Sequence, residues 1–289
     1  MIFCSLYYIT QAADSPAELT RIWWCPTGPL AFLPIHAAGI YVEGKGVPKQ
    51  CLSDFAVSSY IPTLNILFET PTSVKKSGDS APTGLLIVSQ PNTPGKSAIP
   101  YVKEEVEKIQ RQLQRRGISS VTLNDQNGTV NGLLKSMELF PSIHLACHAV
   151  QDITKPLKSS IFLHDGPLEL LEIMKKNLTH SDFAFLSACQ TSKGVENLPE
   201  EVVHLASGML AAGYRSVVGT MWSIFDLHGP DMAEFFYKSL LDDTTNEGPK
   251  VDGTRAARAL HHATRRFREK LSGSPDSLLA WVPYIHIGI

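Results

Sequence analysis

The sequence predicts an α/β protein built as a three-layer α/β/α sandwich around a mainly parallel sheet of about six strands. Short apolar runs of four to seven residues alternate with helical patterns of ten to fifteen residues from residue 84 to the C-terminus. The apolar runs are nearly continuous, as in strands that are covered on both faces. The chain has 289 residues and is 43% hydrophobic, which is enough to bury such a core.

The first half of this pattern reads as strand, helix, strand, helix, strand. Residues 85–88 are wholly apolar, and a helix follows over 102–116, where apolar residues recur every three or four positions. A brief strand is predicted at 121–123, a helix at 130–139 and a strand at 143–148. The alternation favours right-handed crossovers between parallel strands.

The second half continues in the same way. The predicted strands are 183–189, 216–221 and 281–287, and the predicted helices are 168–176, 200–213, 230–241 and 254–271. Residues 84–289 therefore form the predicted core. Residues 1–83 form a separate N-terminal part, with strand candidates at 21–25, 30–36 and 56–60 that add strands or a ribbon to the same body. The Pro- and Ser-rich stretch 71–82 is predicted to be a loop or linker.

Composition excludes several classes of function. A net charge of −2 gives no electrostatic footprint for nucleic acid, and no apolar run approaches the roughly 20 residues of a membrane-spanning helix. The N-terminus has no basic region and no signal-peptide cleavage site, and the five cysteines form no CxxC pair. We therefore expect a reducing, cytoplasmic setting. Gly208 and Gly213 do not fit a dinucleotide-binding pattern, so no cofactor is expected.

Two reactive residues close predicted strands. His148 ends the strand at 143–148 and Cys189 ends the strand at 183–189, with one helix between them. Ligands of open parallel sheets bind at the carboxyl ends of the strands, and neighbouring strands lie about 5 Å apart. If the two strands are neighbours, the thiol and the imidazole can meet and form an activated nucleophile. The alternative is an inert buried cysteine and a structural histidine.

A metal site is a weaker interpretation of the same segment. His144, Cys147 and His148 lie close in sequence, but alternate strand residues face opposite sides, so Cys147 points away from both histidines. We expect no bound metal.

The residues around both positions resemble the CHAT domain, a caspase-like cysteine peptidase family related to separases. The resemblance is carried by the stretches IHLACHA at 143–149 and FLSACQT at 185–191, and it continues through 201–226. The early stretch PTGPLAFLPIHA at 26–37 and the closing WVPYIHIG at 281–288 also match. The resemblance implies a caspase-like fold and peptidase activity.

The resemblance also implies roles for particular residues. Cys189 would be the nucleophile and His148 the general base, and the backbone N–H groups of Cys189 and Ala149 would hold the oxyanion. The family usually has glycine where Ala149 stands, so a conformation with positive φ would be strained here. Asp226 resembles the acidic residue of the separase S1 pocket, which pairs with a basic P1 side chain. Its alternative role is to cap the helix that follows.

Two functions remain open at this stage. The first is a cysteine endopeptidase that cleaves protein or peptide substrates, in line with the resemblance. The second is a catalytically degenerate CHAT domain that serves as the signalling module of a longer protein with helical-repeat or nucleotide-switch regions. A small-molecule hydrolase of the α/β type is disfavoured because the sequence has no G-x-S-x-G elbow.

Overall fold

The structure of the protein is a computed structural model. The structure describes residues 6–11, 19–41, 48–68, 84–152, 154–176, 178, 180–187, 201–242, 250–271 and 277–289. Cys189 and the predicted linker at 71–82 lie outside the described residues.

The strands are numbered in chain order. In the N-terminal part they are β1 (Leu6–Gln11), β2 (Thr20–Pro26), β3 (Gly39–Tyr41), β4 (Pro48–Cys51) and β5 (Ala56–Tyr60). The strands that follow are β6 (Leu85–Ser89), β7 (Ser120–Asn124), β8 (Ser142–Ala146), β9 (His148–Val150), β10 (Ser160–Leu163), β11 (Gly166–Glu169), β12 (Phe183–Leu186), β13 (Ser216–Thr220) and β14 (Tyr284–Gly288).

The α-helices are α1 (Asn65–Phe68), α2 (Tyr101–Gln114), α3 (Val130–Met137), α4 (Leu170–Met174), α5 (Glu201–Ala212), α6 (Gly229–Leu241), α7 (Ala256–Lys270) and α8 (Ser277–Trp281). Where a capping side chain is present, it fixes the residue at which the helix begins. The Thr129 hydroxyl, for example, accepts a hydrogen bond of 3.1 Å from the Gly132 N–H and caps α3.

Most of the described strands join one sheet in the order β1-β2-β5-β14-β13-β12-β8-β6-β7. Strands β7, β6, β8, β12 and β13 run parallel, and β14 is antiparallel to β13. The N-terminal strands β5, β2 and β1 extend this sheet beyond β14, which confirms that the segment adds strands to the same body. The strand candidate at 30–36 is wrong, because the chain there forms the 3₁₀ turns Gly28–Phe32 and Ile35–Ala37. Strands β3 and β4 form the additional ribbon.

Helices cover both faces of the sheet, so the predicted three-layer sandwich is confirmed. On one face, α2, α6 and α7 pack over strand residues such as Ile87, Phe185 and Val218. On the other face, α3, α4 and α5 pack over Val88 and Leu145. All five residues of β6, β8 and β13 are buried, as the continuous apolar runs predict.

Three boundary predictions are wrong. The strand predicted at 143–148 ends at Ala146, and His148 begins β9, which belongs to a separate three-stranded sheet of order β11-β10-β9. The predicted helix at 168–176 is shorter because residues 166–169 form β11. In the predicted last strand, Trp281 ends helix α8 and the strand begins only at Tyr284.

In the part of the chain that the structure describes, no helix combines the length and apolarity needed to cross a bilayer.

Candidate active site

The carboxyl ends of the five parallel strands lie at one edge of the sheet. Strands β8 and β12 are hydrogen-bonded neighbours, with Leu145 paired to Leu186. The condition stated for the sequence, that the two strands are neighbours, is therefore met. His148 follows the end of β8 at this edge, and Ser187, which is 6% exposed, follows the end of β12.

His148 lies at the start of β9 and not within β8. Strand β9 pairs with β10 in antiparallel register, and His148 lies directly opposite Phe162. The preceding Cys147 is fully buried on the face covered by α3, α4 and α5. The chain thus turns out of the main sheet at Cys147, and the small sheet holds His148 at the edge.

The imidazole of His148 has a defined hydrogen-bond partner. Its Nε2 lies 2.7 Å from the carbonyl oxygen of Ser97, in the loop between β6 and α2. A carbonyl oxygen only accepts, so Nε2 must carry the hydrogen and the lone pair of the neutral ring lies on Nδ1. His148 is 2% exposed, so this arrangement is held inside the protein.

The surroundings of His148 favour its neutral form. Burial lowers the pKa of His148, and the nearby Lys96 ammonium lowers it further. The hydrogen bond to Ser97 and the Asp226 carboxylate act in the opposite direction on this pKa. The net pKa lies below the usual value of 6.5, so the ring is neutral at pH 7 and can accept a proton.

Asp226 lies beside this edge and does not cap the next helix. It opens a 3₁₀ turn, Asp226–His228, whereas the N-cap of α6 is His228. The helix-cap interpretation is therefore wrong. The half-buried Asp226 lines a small cavity of about 10 Å³ together with Ile224 and Ser187.

Ala149 adopts extended backbone without strain. It pairs with Ile161 between β9 and β10, and Asp125 is the one non-glycine among the described residues with positive φ. The Cβ of Ala149 therefore carries no conformational penalty in this conformation, and the residue keeps its backbone N–H. The replacement of glycine by alanine does not by itself remove an oxyanion donor.

His144 is held in a buried network on the opposite side of the strand from Cys147. Its Nε2 lies 3.1 Å from Glu105 Oε1, and its Nδ1 lies 3.1 Å from the Tyr237 hydroxyl. Its ring stacks on Phe185 at 4.9 Å between centroids. In the described ranges, no group of three or more His, Cys, Asp or Glu side chains could hold a metal ion.

The sequence did not indicate four of the groups around His148. Ser97 contributes only a backbone carbonyl, which has no side-chain signature. Lys96 and Phe162 come from a loop and from a strand that the periodicity did not reveal. Glu105 lies on the buried face of α2 and lines the cavity beside Asp226. In the sequence, Glu105 is marked only as a charged residue that interrupts the apolar positions of this helix.

The sheet order and the two helical layers are those of a caspase-like α/β/α fold. The crystal structure of the Arg-specific cysteine proteinase gingipain R (RgpB) is similar with a TM-score of 0.55 at 10% identity, over 86% of this chain and 58% of that chain. The complex of the Porphyromonas gingivalis RgpB pro- and mature domains gives 0.50 at 12% identity, over 81% and 55%. At this identity the likeness establishes the fold. The chain spans less than two thirds of these structures.

The CHAT domain model matches residues 6–289, so the chain belongs to the CHAT domain family. No curated protein sequence matches the chain.

Proposed function

We propose that the protein is a caspase-like cysteine endopeptidase in which Cys189 is the nucleophile and His148 the general base. The observation that best supports the proposal is the pairing of Leu145 with Leu186 between β8 and β12. His148 is three residues beyond Leu145, and Cys189 is three residues beyond Leu186. The last described residue before Cys189 is Ser187, and two residues of chain reach at most about 7 Å. In the sequence, both residues therefore follow strands whose carboxyl ends lie at the same edge of the sheet, which supports the pairing of the two side chains.

The chemistry follows from the tautomer of His148. The lone pair on Nδ1 takes the proton of the Cys189 thiol, and the thiolate attacks the carbonyl carbon of the scissile peptide bond. The carbonyl oxygen becomes an oxyanion that the N–H groups of Cys189 and Ala149 can stabilise. His148 then gives the proton to the leaving amine as the C–N bond breaks. Water hydrolyses the thioester, which restores the thiol.

The charges near His148 suit this cycle. The lowered pKa keeps the imidazole neutral and able to accept the thiol proton at pH 7. Once the ring is protonated, the Asp226 carboxylate stabilises its positive charge, because this group raises the pKa of His148. The Ser97 carbonyl holds the ring orientation throughout.

Asp226 is our candidate for the S1 residue that pairs with a basic P1 side chain. It lines the cavity next to Ser187, two residues before the proposed nucleophile. A charged hydrogen bond contributes about 1.5–3 kcal/mol, so the expected loss in Asp226→Asn is about ten- to a hundredfold in kcat/KM for a P1 arginine peptide. Fluorogenic peptides that differ only in P1 (arginine, lysine or norleucine) measure the effect.

The matched control is Glu234→Gln, which removes a negative charge from α6 outside this cavity. It should leave kcat/KM for the arginine peptide unchanged. The S1 assignment would be contradicted if Asp226→Asn lowered kcat/KM equally for the norleucine peptide. Such a result would leave Asp226 only as a charge that acts on His148.

A further inference from the structure

The loop between β6 and α2 touches both members of one cross-strand pair. The Ser97 carbonyl oxygen accepts the hydrogen bond from His148 Nε2 at 2.7 Å. The ammonium nitrogen of the preceding residue, Lys96, lies 3.7 Å from the ring centroid of Phe162. Phe162 is the residue directly opposite His148 between β9 and β10. Two adjacent loop residues thus contact two directly paired strand residues.

The loop residues and the histidine differ in their exposure to solvent. Lys96 and Ser97 are exposed, whereas His148 is 2% exposed. The tip of the loop turns at Gly95, which has φ +75°, and is closed by a hydrogen bond of 3.1 Å from the Lys96 N–H to the Thr93 carbonyl. Buried Thr93 and Ile99 anchor the loop on either side of this tip, and side-chain contacts attach the exposed tip itself to the body of the protein. The contact of Lys96 with Phe162 is such an attachment.

We propose that Lys96 is a positioning residue for His148. Its ammonium group stacks on Phe162 and holds the Ser97 carbonyl against Nε2, which leaves Nδ1 as the basic nitrogen. The catalytic consequence rests on the proposed peptidase function, but the positioning itself does not. Among the described residues, the charged side chains that act on the ring include Lys96 from this loop and Asp226 from the turn after β13.

Lys96→Met tests the proposal, since methionine retains length without charge. The first readout is the Nε2–H proton of His148 in ¹⁵N-histidine NMR spectra, assigned by its loss in His148→Gln. In the wild-type protein this proton exchanges slowly with water because it is bonded to Ser97. In Lys96→Met and in Phe162→Leu we expect its signal to broaden or vanish. Lys96→Arg, which keeps a cation over the ring, should retain it.

Lys103→Met is the matched control, because it removes an exposed lysine from the adjacent first turn of α2. It should retain the signal. If the signal persists unchanged in Lys96→Met, or disappears in Lys96→Arg, the proposal is wrong. Melting curves of each variant test whether it is folded.

The second readout is kcat/KM for peptide cleavage. A cation–π contact at an exposed site corresponds to about a two- to fivefold change in a rate constant, so Lys96→Met should be slower by that factor while Lys96→Arg and Lys103→Met are not. Unchanged kcat/KM in Lys96→Met would contradict the role of the contact in catalysis. If no form of the protein cleaves peptides, the proposed function fails, whereas the NMR result still decides whether Lys96 positions His148.

Discussion

Replacing Cys189 with alanine is expected to abolish peptide cleavage and labelling by thiol-directed inhibitors. No other group in the proposed mechanism can form the covalent thioester, so the loss should be complete within the sensitivity of the assay. The free energy of unfolding should stay within about 1 kcal/mol of the wild-type value, since the substitution removes one sulfur atom. Fluorogenic peptide assays, inhibitor labelling and denaturant titration measure the three quantities.

Cys25→Ala is the matched control for this experiment. Cys25 is a buried free cysteine in β2, four strands from β12 in the sheet order, or about 19 Å away. Its removal should leave cleavage unchanged apart from any loss of folded protein. Cleavage retained by Cys189→Ala at the wild-type rate would refute the assignment of the nucleophile.

Acidification from pH 6.5 towards pH 4 is expected to destabilise the protein by several kcal/mol. Burial lowers the pKa of His36 and of His261 to about 4, and that of His286 well below its usual range. Between pH 6.5 and pH 4 these histidines bind protons in the unfolded chain but not in the folded protein. The free energy of unfolding therefore decreases as the pH is lowered. Each such histidine costs about 1.4 kcal/mol per pH unit below 6.5 until its folded pKa is reached.

Urea unfolding at pH 7.5, 6.5, 5.5 and 4.5 measures this dependence. His36→Gln should reduce the slope, because the His36 ring is buried between the Tyr60 hydroxyl and the Val282 carbonyl, where its charged form would lose its hydration. The exposed His180 gives the control, since His180→Gln should leave the slope unchanged. A free energy of unfolding that is constant between pH 6.5 and 4.5 would contradict the burial of these histidines as neutral groups.

The strands and helices of the main sheet could be predicted because each of them has its own pattern of apolar residues in the sequence. Each parallel strand buried on both faces is an apolar run, such as Leu85–Ser89, and each crossover helix repeats its apolar residues every three or four positions. The neighbourhood of β8 and β12, the strands that precede His148 and Cys189 in the sequence, follows from the single crossover between them. The register of Leu145 with Leu186 agrees with that inference.

The position of His148 in a second sheet could not be predicted in this way. Residues 142–149 are all buried, so no polar residue marks the point where the chain leaves β8 at Cys147. The contact with Ser97 escapes sequence reasoning for a different reason, because every residue carries the same backbone carbonyl. The strand prediction for Trp281 is wrong because a bulky apolar residue is common to both kinds of element, and Trp281 ends helix α8.

The proposed peptidase activity depends on a thiol at Cys189 that is activated by His148. The most direct measurement is the rate of alkylation of Cys189 by iodoacetamide as a function of pH, followed by mass spectrometry in the wild-type protein and in His148→Gln. We predict an apparent pKa well below the ordinary thiol value of about 8.5 in the wild-type protein, and a return to about 8.5 in His148→Gln. The same ordinary value in both proteins would contradict the account and assign the chain to the alternative function, an interaction domain without peptidase activity.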